Sequence, residues 1–106
     1  MVSMNQIEEF GRRIGDEFDA LRVILFGSHA HGVATEDSDV DLLVILPFEG
    51  SSVRQSVAIR MKLRPPFPVD LVVRTPENVR KRLDIGDDFM REIIEEGKVL
   101  YDADSD

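Results

Sequence analysis

The chain has 106 residues, 42% of them hydrophobic and 32% charged, with a formal net charge of −8 and no cysteine. We read residues 1–106 as one domain, because a chain of this length builds one core and leaves no room for a second. The composition excludes disulfides, thiolate metal sites and a membrane span, and its acidity argues against direct nucleic-acid binding. MVSMNQIEEF lacks the basic start and apolar block of a signal peptide, so the expected location is the cytoplasm.

Residues 4–18 place Ile7, Phe10, Ile14 and Phe18 on one stripe with charged residues between them, which predicts an amphipathic helix. Gly15 inside it costs about 1 kcal/mol relative to Ala. Leu21–Phe26 is apolar and rich in β-branched residues and stops at Gly27, which predicts a buried strand. Residues 28–38 are small and polar, with a helical turn allowed between Gly27 and Gly32. Val40–Leu46 is nearly continuous apolar sequence, the pattern of a central strand covered on both faces, and Pro47 ends it.

A turn at Glu49–Ser52 leads into a second predicted helix, on which Val53, Val57 and Met61 form the apolar stripe. Pro65-Pro66-Phe67-Pro68 is a stiff connector to a third strand, Val69–Val73. Thr75-Pro76-Glu77 opens a short helix to about Leu83, and Asp87–Glu96 forms another closed by Gly97 as its C-cap. Lys98–Tyr101 is a short edge strand, and DADSD is a frayed tail. The fold class is therefore α/β (α+β): a small mixed β-sheet with helices packed on it.

The chemistry concentrates in VILFGSHAHGVATEDSDVDLLVI, residues 23–45. Asp39 and Asp41 stand at i and i+2, on one face of a strand. Gly27-Ser28, at the end of the preceding strand, offers backbone N–H groups and a hydroxyl to a phosphate. A nucleotide-hydrolase phosphate loop fails here, because Val33-Ala34 follows Gly32 where Lys and a hydroxyl are required. An EF-hand fails as well, with Leu42 in the glycine position and Phe48 in the place of the final acid. His29 and His31, without a partnering cysteine, read as surface residues rather than a zinc site.

Asp39 and Asp41 alone would read as a solvated strand entrance. Asp70, a lone acid in an apolar strand, alters that balance. Two carboxylates about 6 Å apart at an effective dielectric of about 20 repel by roughly 3 kcal/mol. Three acids brought together therefore call for a cation, and an all-oxygen set suits Mg²⁺ or Mn²⁺.

Phe26-Gly27-Ser28, ten residues, then Asp39-Val40-Asp41-Leu42, with Asp70 on a later strand, resembles the signature of the polymerase-β-type nucleotidyltransferase superfamily. The short chain and spacer are similar to the minimal nucleotidyltransferase proteins, the MntA-like antitoxins paired with HEPN-domain toxins. The resemblance implies a palm-like nucleotidyltransferase fold and a two-Mg²⁺ site at Asp39, Asp41 and Asp70, which are also the catalytic residues. It further implies that Gly27 and Ser28 bind the β- and γ-phosphates of ATP.

The implied reaction is transfer of AMP to a hydroxyl, with a tyrosine of a HEPN-domain partner as acceptor. One departure stands out: His31 occupies the position where many relatives carry Arg within G-S-x-A-R-G. A binding antitoxin with weak or no turnover, and a small-molecule transferase with a separate acceptor-binding subunit, remain alternatives. Homo- and hetero-oligomers both stay open.

Overall fold

The computed structural model describes residues 1–105. In chain order the elements are α1 (Met4–Phe18), β1 (Arg22–Phe26), α2 (Ser28–His31), β2 (Val40–Ile45), α3 (Ser52–Leu63), β3 (Val69–Arg74), α4 (Pro76–Asp84), α5 (Asp88–Glu96) and β4 (Lys98–Asp102). The expected order holds, and the helical turn allowed after Gly27 is α2. Each longer helix starts where its sequence supplies a cap. Ser3 and Gln6 close a reciprocal capping box on α1, with bonds of 3.2 and 2.8 Å. Ser51 caps α3, Thr75 caps α4 ahead of Pro76, and Asp87 stands just outside α5, accepting from the Met90 N–H at 3.1 Å.

The strands form one mixed sheet in the order β3-β2-β1-β4. β1 runs antiparallel to both β2 and β4, whereas β2 and β3 are parallel, joined by α3. β2 is thus central, and β4 lies on an edge as predicted. Side chains alternate across the sheet and so divide the core in two. On one face Val23, Leu25, Val40, Leu42 and Val44 meet Ile7, Phe10 and Ile14 of α1 and Ile59 and Leu63 of α3. On the other, Ile24, Leu43 and Ile45 meet Val79 of α4 and Met90 and Ile93 of α5.

The structure corrects the sequence reading in several places. Val53, Val57 and Met61 are the exposed side of α3, at 69%, 46% and 69% exposure. The helix instead seats Ile59 and Leu63 on the sheet, with small half-buried Ser52 and Ser56 on the same side. Gly15 has a packing reason: a Cβ there would lie 2.3 Å from the Tyr101 ring, so the glycine lets β4 lie against α1.

Gly97 caps α5 in extended geometry (φ −72°, ψ 162°) rather than the left-handed one. A Cβ on it would meet Ile24 and the Ile93 carbonyl, each at 2.5 Å. The tail is tied further than expected. Asp102 pairs with Arg22 in the sheet, and Ala103 N–H donates to the Leu21 carbonyl at 2.9 Å; Asp106 lies outside the described residues. Among the described residues, no helix is long and apolar enough to cross a membrane.

Candidate active site

The end of β1 and the starts of β2 and β3 lie along one edge of the sheet. Their register fixes which side chains become neighbours: Phe26 pairs with Asp41, and Asp41 with Asp70. Adjacent strands are about 4.8 Å apart, and all three residues share the face occupied lower down by Leu43, Ile45 and Val72. α4 and α5 cover that lower part and leave the acidic end open. Asp41 is half-buried there, whereas Asp39 and Asp70 are exposed. The exposure of Asp70 corrects the sequence argument. It is no buried charge in need of a partner, and its placement rests on the parallel register with Asp41.

The three carboxylates interact electrostatically. Burial, then the negative charges of Asp70 and Asp39, push the Asp41 carboxyl above the usual aspartate value of 3.8, with His29 opposing. No Lys or Arg among the described residues pairs with any of them. Nor, among those residues, are any three His, Asp or Glu side chains arranged to enclose a metal ion. The backbone register brings Asp41 and Asp70 side by side, with Asp39 two residues before Asp41. The donor set is all oxygen, and its central member is disfavoured as an anion by its neighbours. That chemistry fits Mg²⁺ or Mn²⁺.

Gly27 is held at φ 77° and ψ −157°, a region open essentially to glycine alone. A Cβ there would lie 2.3 Å from Asp41 Oδ2. The turn and the acid therefore need each other: the missing side chain is where the Asp41 carboxylate sits. Ser28 then opens α2, whose turn is closed by Ala30 and His31 N–H groups donating to the Gly27 carbonyl at 3.1 and 3.3 Å.

His29 was expected on the surface and is 7% exposed. Its Nε2 lies 3.3 Å from the Ser38 carbonyl oxygen, while Ser38 Oγ accepts from the Thr35 N–H at 2.9 Å. His29 thus ties the start of the loop to its end, next to Asp39. The only signal in the sequence was position: as second residue of α2, it faces inward when His31, two residues on, faces out. His31 is exposed and lines a cavity beside Gly27.

Comparison with known proteins agrees with this geometry. Residues 4–101 match the family described as Nucleotidyltransferase domain. A candidate protein adenylyltransferase of Methanocaldococcus jannaschii is 32% identical over 80 residues, which are 76% of this chain and 77% of that protein. A second candidate protein adenylyltransferase of the same organism is 51% identical over 43 residues, 39% of this chain and 29% of that protein. A crystal structure of a candidate nucleotidyltransferase from Sulfolobus solfataricus covers 95% of this chain and 81% of its own with a TM-score of 0.63; at 18% identity it shows a shared fold. The chain belongs to the nucleotidyltransferase domain family and is an enzyme of the nucleotidyltransferase type.

Proposed function

We propose that this protein is a divalent-metal-dependent protein adenylyltransferase, moving AMP from ATP to a hydroxyl of a partner protein. The observation that carries the reading is the register of Asp41 with Asp70, beside the Gly27-Ser28 turn and two residues after Asp39. Asp39, Asp41 and Asp70 are the residues that would hold Mg²⁺, which when bound neutralises triphosphate charge and acidifies a hydroxyl. Gly27 admits a close approach of phosphate to backbone, and Ser28 adds a hydroxyl.

The acceptor hydroxyl gives its proton to solvent as its oxygen attacks the α-phosphorus, the bond to the α,β-bridging oxygen breaks, and pyrophosphate leaves toward the Gly27-Ser28 side. Asp70, on the opposite side of Asp41, faces the acceptor and guides its hydroxyl. The remainder of catalysis is orientation and electrostatics. The resemblance to minimal nucleotidyltransferase antitoxins makes the acceptor a tyrosine hydroxyl of a cytoplasmic HEPN-domain toxin.

A second reading, neutralisation of the partner by contact with little turnover, is favoured by the row of exposed Val53, Val57 and Met61 on α3. Incubation with labelled ATP, Mg²⁺ and the HEPN-domain partner separates the two. Label on the partner's tyrosine is the expected result; a tight complex that never takes label supports contact alone. Label on a small metabolite in place of the partner would assign a small-molecule acceptor.

A further inference from the structure

The acids occupy one end of the sheet, and a cationic cavity occupies the other. β2 and β3 run parallel, so both finish at the Ile45–Arg74 pair, at the end opposite to Asp41 and Asp70. The helices that follow them start at that same end: α3 opens at Ser52 after β2, and α4 at Pro76 after β3. The crevice outside the carboxyl ends of parallel strands is where such folds hold ligands. Here it is a cavity of about 380 Å³, within the range of small-molecule sites. Arg74 and Arg82 line it, with Ser52, Thr75 and Asn78 as polar groups and Phe48 as an aromatic wall. Along β3 the distance from Arg74 back to Asp70 is roughly 13 Å.

A chain with a net charge of −8 thus lines one concavity with two guanidiniums and, among the described residues, no carboxylate. Neither guanidinium is used up. Arg74 gives its Nη1 donor to the Val73 carbonyl at 2.8 Å. Arg82 stands 3.9 Å from Asp87 at an exposed position, a pair that contributes little. Each guanidinium carries five N–H donors, so most remain. Asn78 adds an independent sign of an unmet partner: its Oδ1 is buried and accepts no hydrogen bond among the described residues. The first turns of α3 and α4 bring the positive ends of two helix dipoles to the same place.

We propose that this cavity is a binding site, separate from the acidic edge, for a phosphate monoester carried on a hydroxyl-bearing sugar. Guanidiniums only donate, and phosphate oxygens match them as acceptors. The Asn78 amide oxygen needs a donor, which a sugar hydroxyl supplies. Sugar phosphates and nucleotides share this chemistry, and Phe48 is the group that would tell them apart. The site needs no metal, because the chain itself supplies the positive charge. The acidic edge, by contrast, repels a phosphate until a divalent ion is bound.

NMR titration of the full chain in EDTA, with inorganic phosphate, ribose 5-phosphate and AMP as probes, tests this. Ribose 5-phosphate is expected to shift the amide signals of Ser52, Thr75 and Asn78 and to leave those of Gly27 and Ser28 in place. It should bind about fivefold more tightly than inorganic phosphate. Arg82→Gln, at an exposed position, should weaken it about tenfold, and Asn78→Ala should bring it down to the affinity of inorganic phosphate. Tighter binding of AMP than of ribose 5-phosphate supports the site and assigns it to nucleotides; equal affinity supports it and assigns it to sugar phosphates. Shifts confined to Gly27 and Ser28, no shift with any probe, or unchanged affinity in Arg82→Gln overturns the site. Transfer needs the divalent ion that EDTA removes, so the adenylyltransferase reading stands or falls separately.

Discussion

The two faces of the sheet are built from the same strands and put to opposite use. One is closed from end to end by α1 and α3, and Leu42, at its centre, is fully buried. The other is closed only over its lower half by α4 and α5, and Asp41, one residue before Leu42, stands at the open end. A single step along β2 thus crosses from core to site. Stability depends mainly on the closed face, and the open end of the other face holds groups whose mutual repulsion works against the fold.

The largest effect separating the faces is on activity. Asp41→Asn is expected to abolish labelling of the partner, and Asp39→Asn likewise, while circular dichroism and melting show a folded protein. Full labelling by either variant would remove the metal assignment. Leu42→Ala is the counterpart on the closed face. It should destabilise by about 2–5 kcal/mol through lost burial and a cavity. Activity per folded molecule should be kept, as read by a denaturant midpoint alongside labelling at low temperature. If Leu42→Ala abolished labelling in molecules still folded, the division between the faces would fail.

Gly27→Ala touches both faces of the comparison. It forces an L residue into a glycine-only backbone region, at a cost of about 1–3 kcal/mol, and drives a methyl into the Asp41 carboxylate. A loss of stability smaller than that of Leu42→Ala, with a loss of labelling close to that of Asp41→Asn, is the expected pair. Unchanged labelling would show that Asp41 can leave its place without consequence.

Much of this was legible from the chain alone, for identifiable reasons. The turn at Glu49–Ser52, Thr75-Pro76, and the apolar runs of β1 and β2 are local signals, and they placed the elements to within a residue or two. The acids at 39, 41 and 70 stand out by residue type and spacing, and the structure adds the register that pairs Asp41 with Asp70. What was lost needed tertiary partners. On α3 the more apolar stripe lost to Ile59 and Leu63, because small serines on their side let the helix approach the sheet. His29 was missed because its burial comes from the loop folding back to Ser38. Gly15 and Gly97 are glycines on account of side chains distant in sequence, Tyr101 and Ile24.

The smallest effect is electrostatic, and its sign is fixed by the direction of the Asp41 shift. In the unfolded chain Asp41 titrates near 3.8; in the fold burial and the two neighbouring acids hold it above that value. Between those two pH values the folded state binds more protons at this site than the unfolded state, so stability falls as pH rises. Below the window both states are protonated and nothing is lost; above it the penalty is constant. Other carboxylates titrate in the same range, so the informative quantity is the difference between wild type and Asp41→Asn. Without divalent ions, urea midpoints of the variant should pull ahead of wild type as pH rises from 3.8, then hold a fixed lead. Adding Mg²⁺ should shrink that lead, because a cation favours the ionised carboxylate that the variant lacks. Parallel pH profiles would mean that Asp41 is as comfortable in the fold as in water, and the open end of the sheet would carry no electrostatic cost at all.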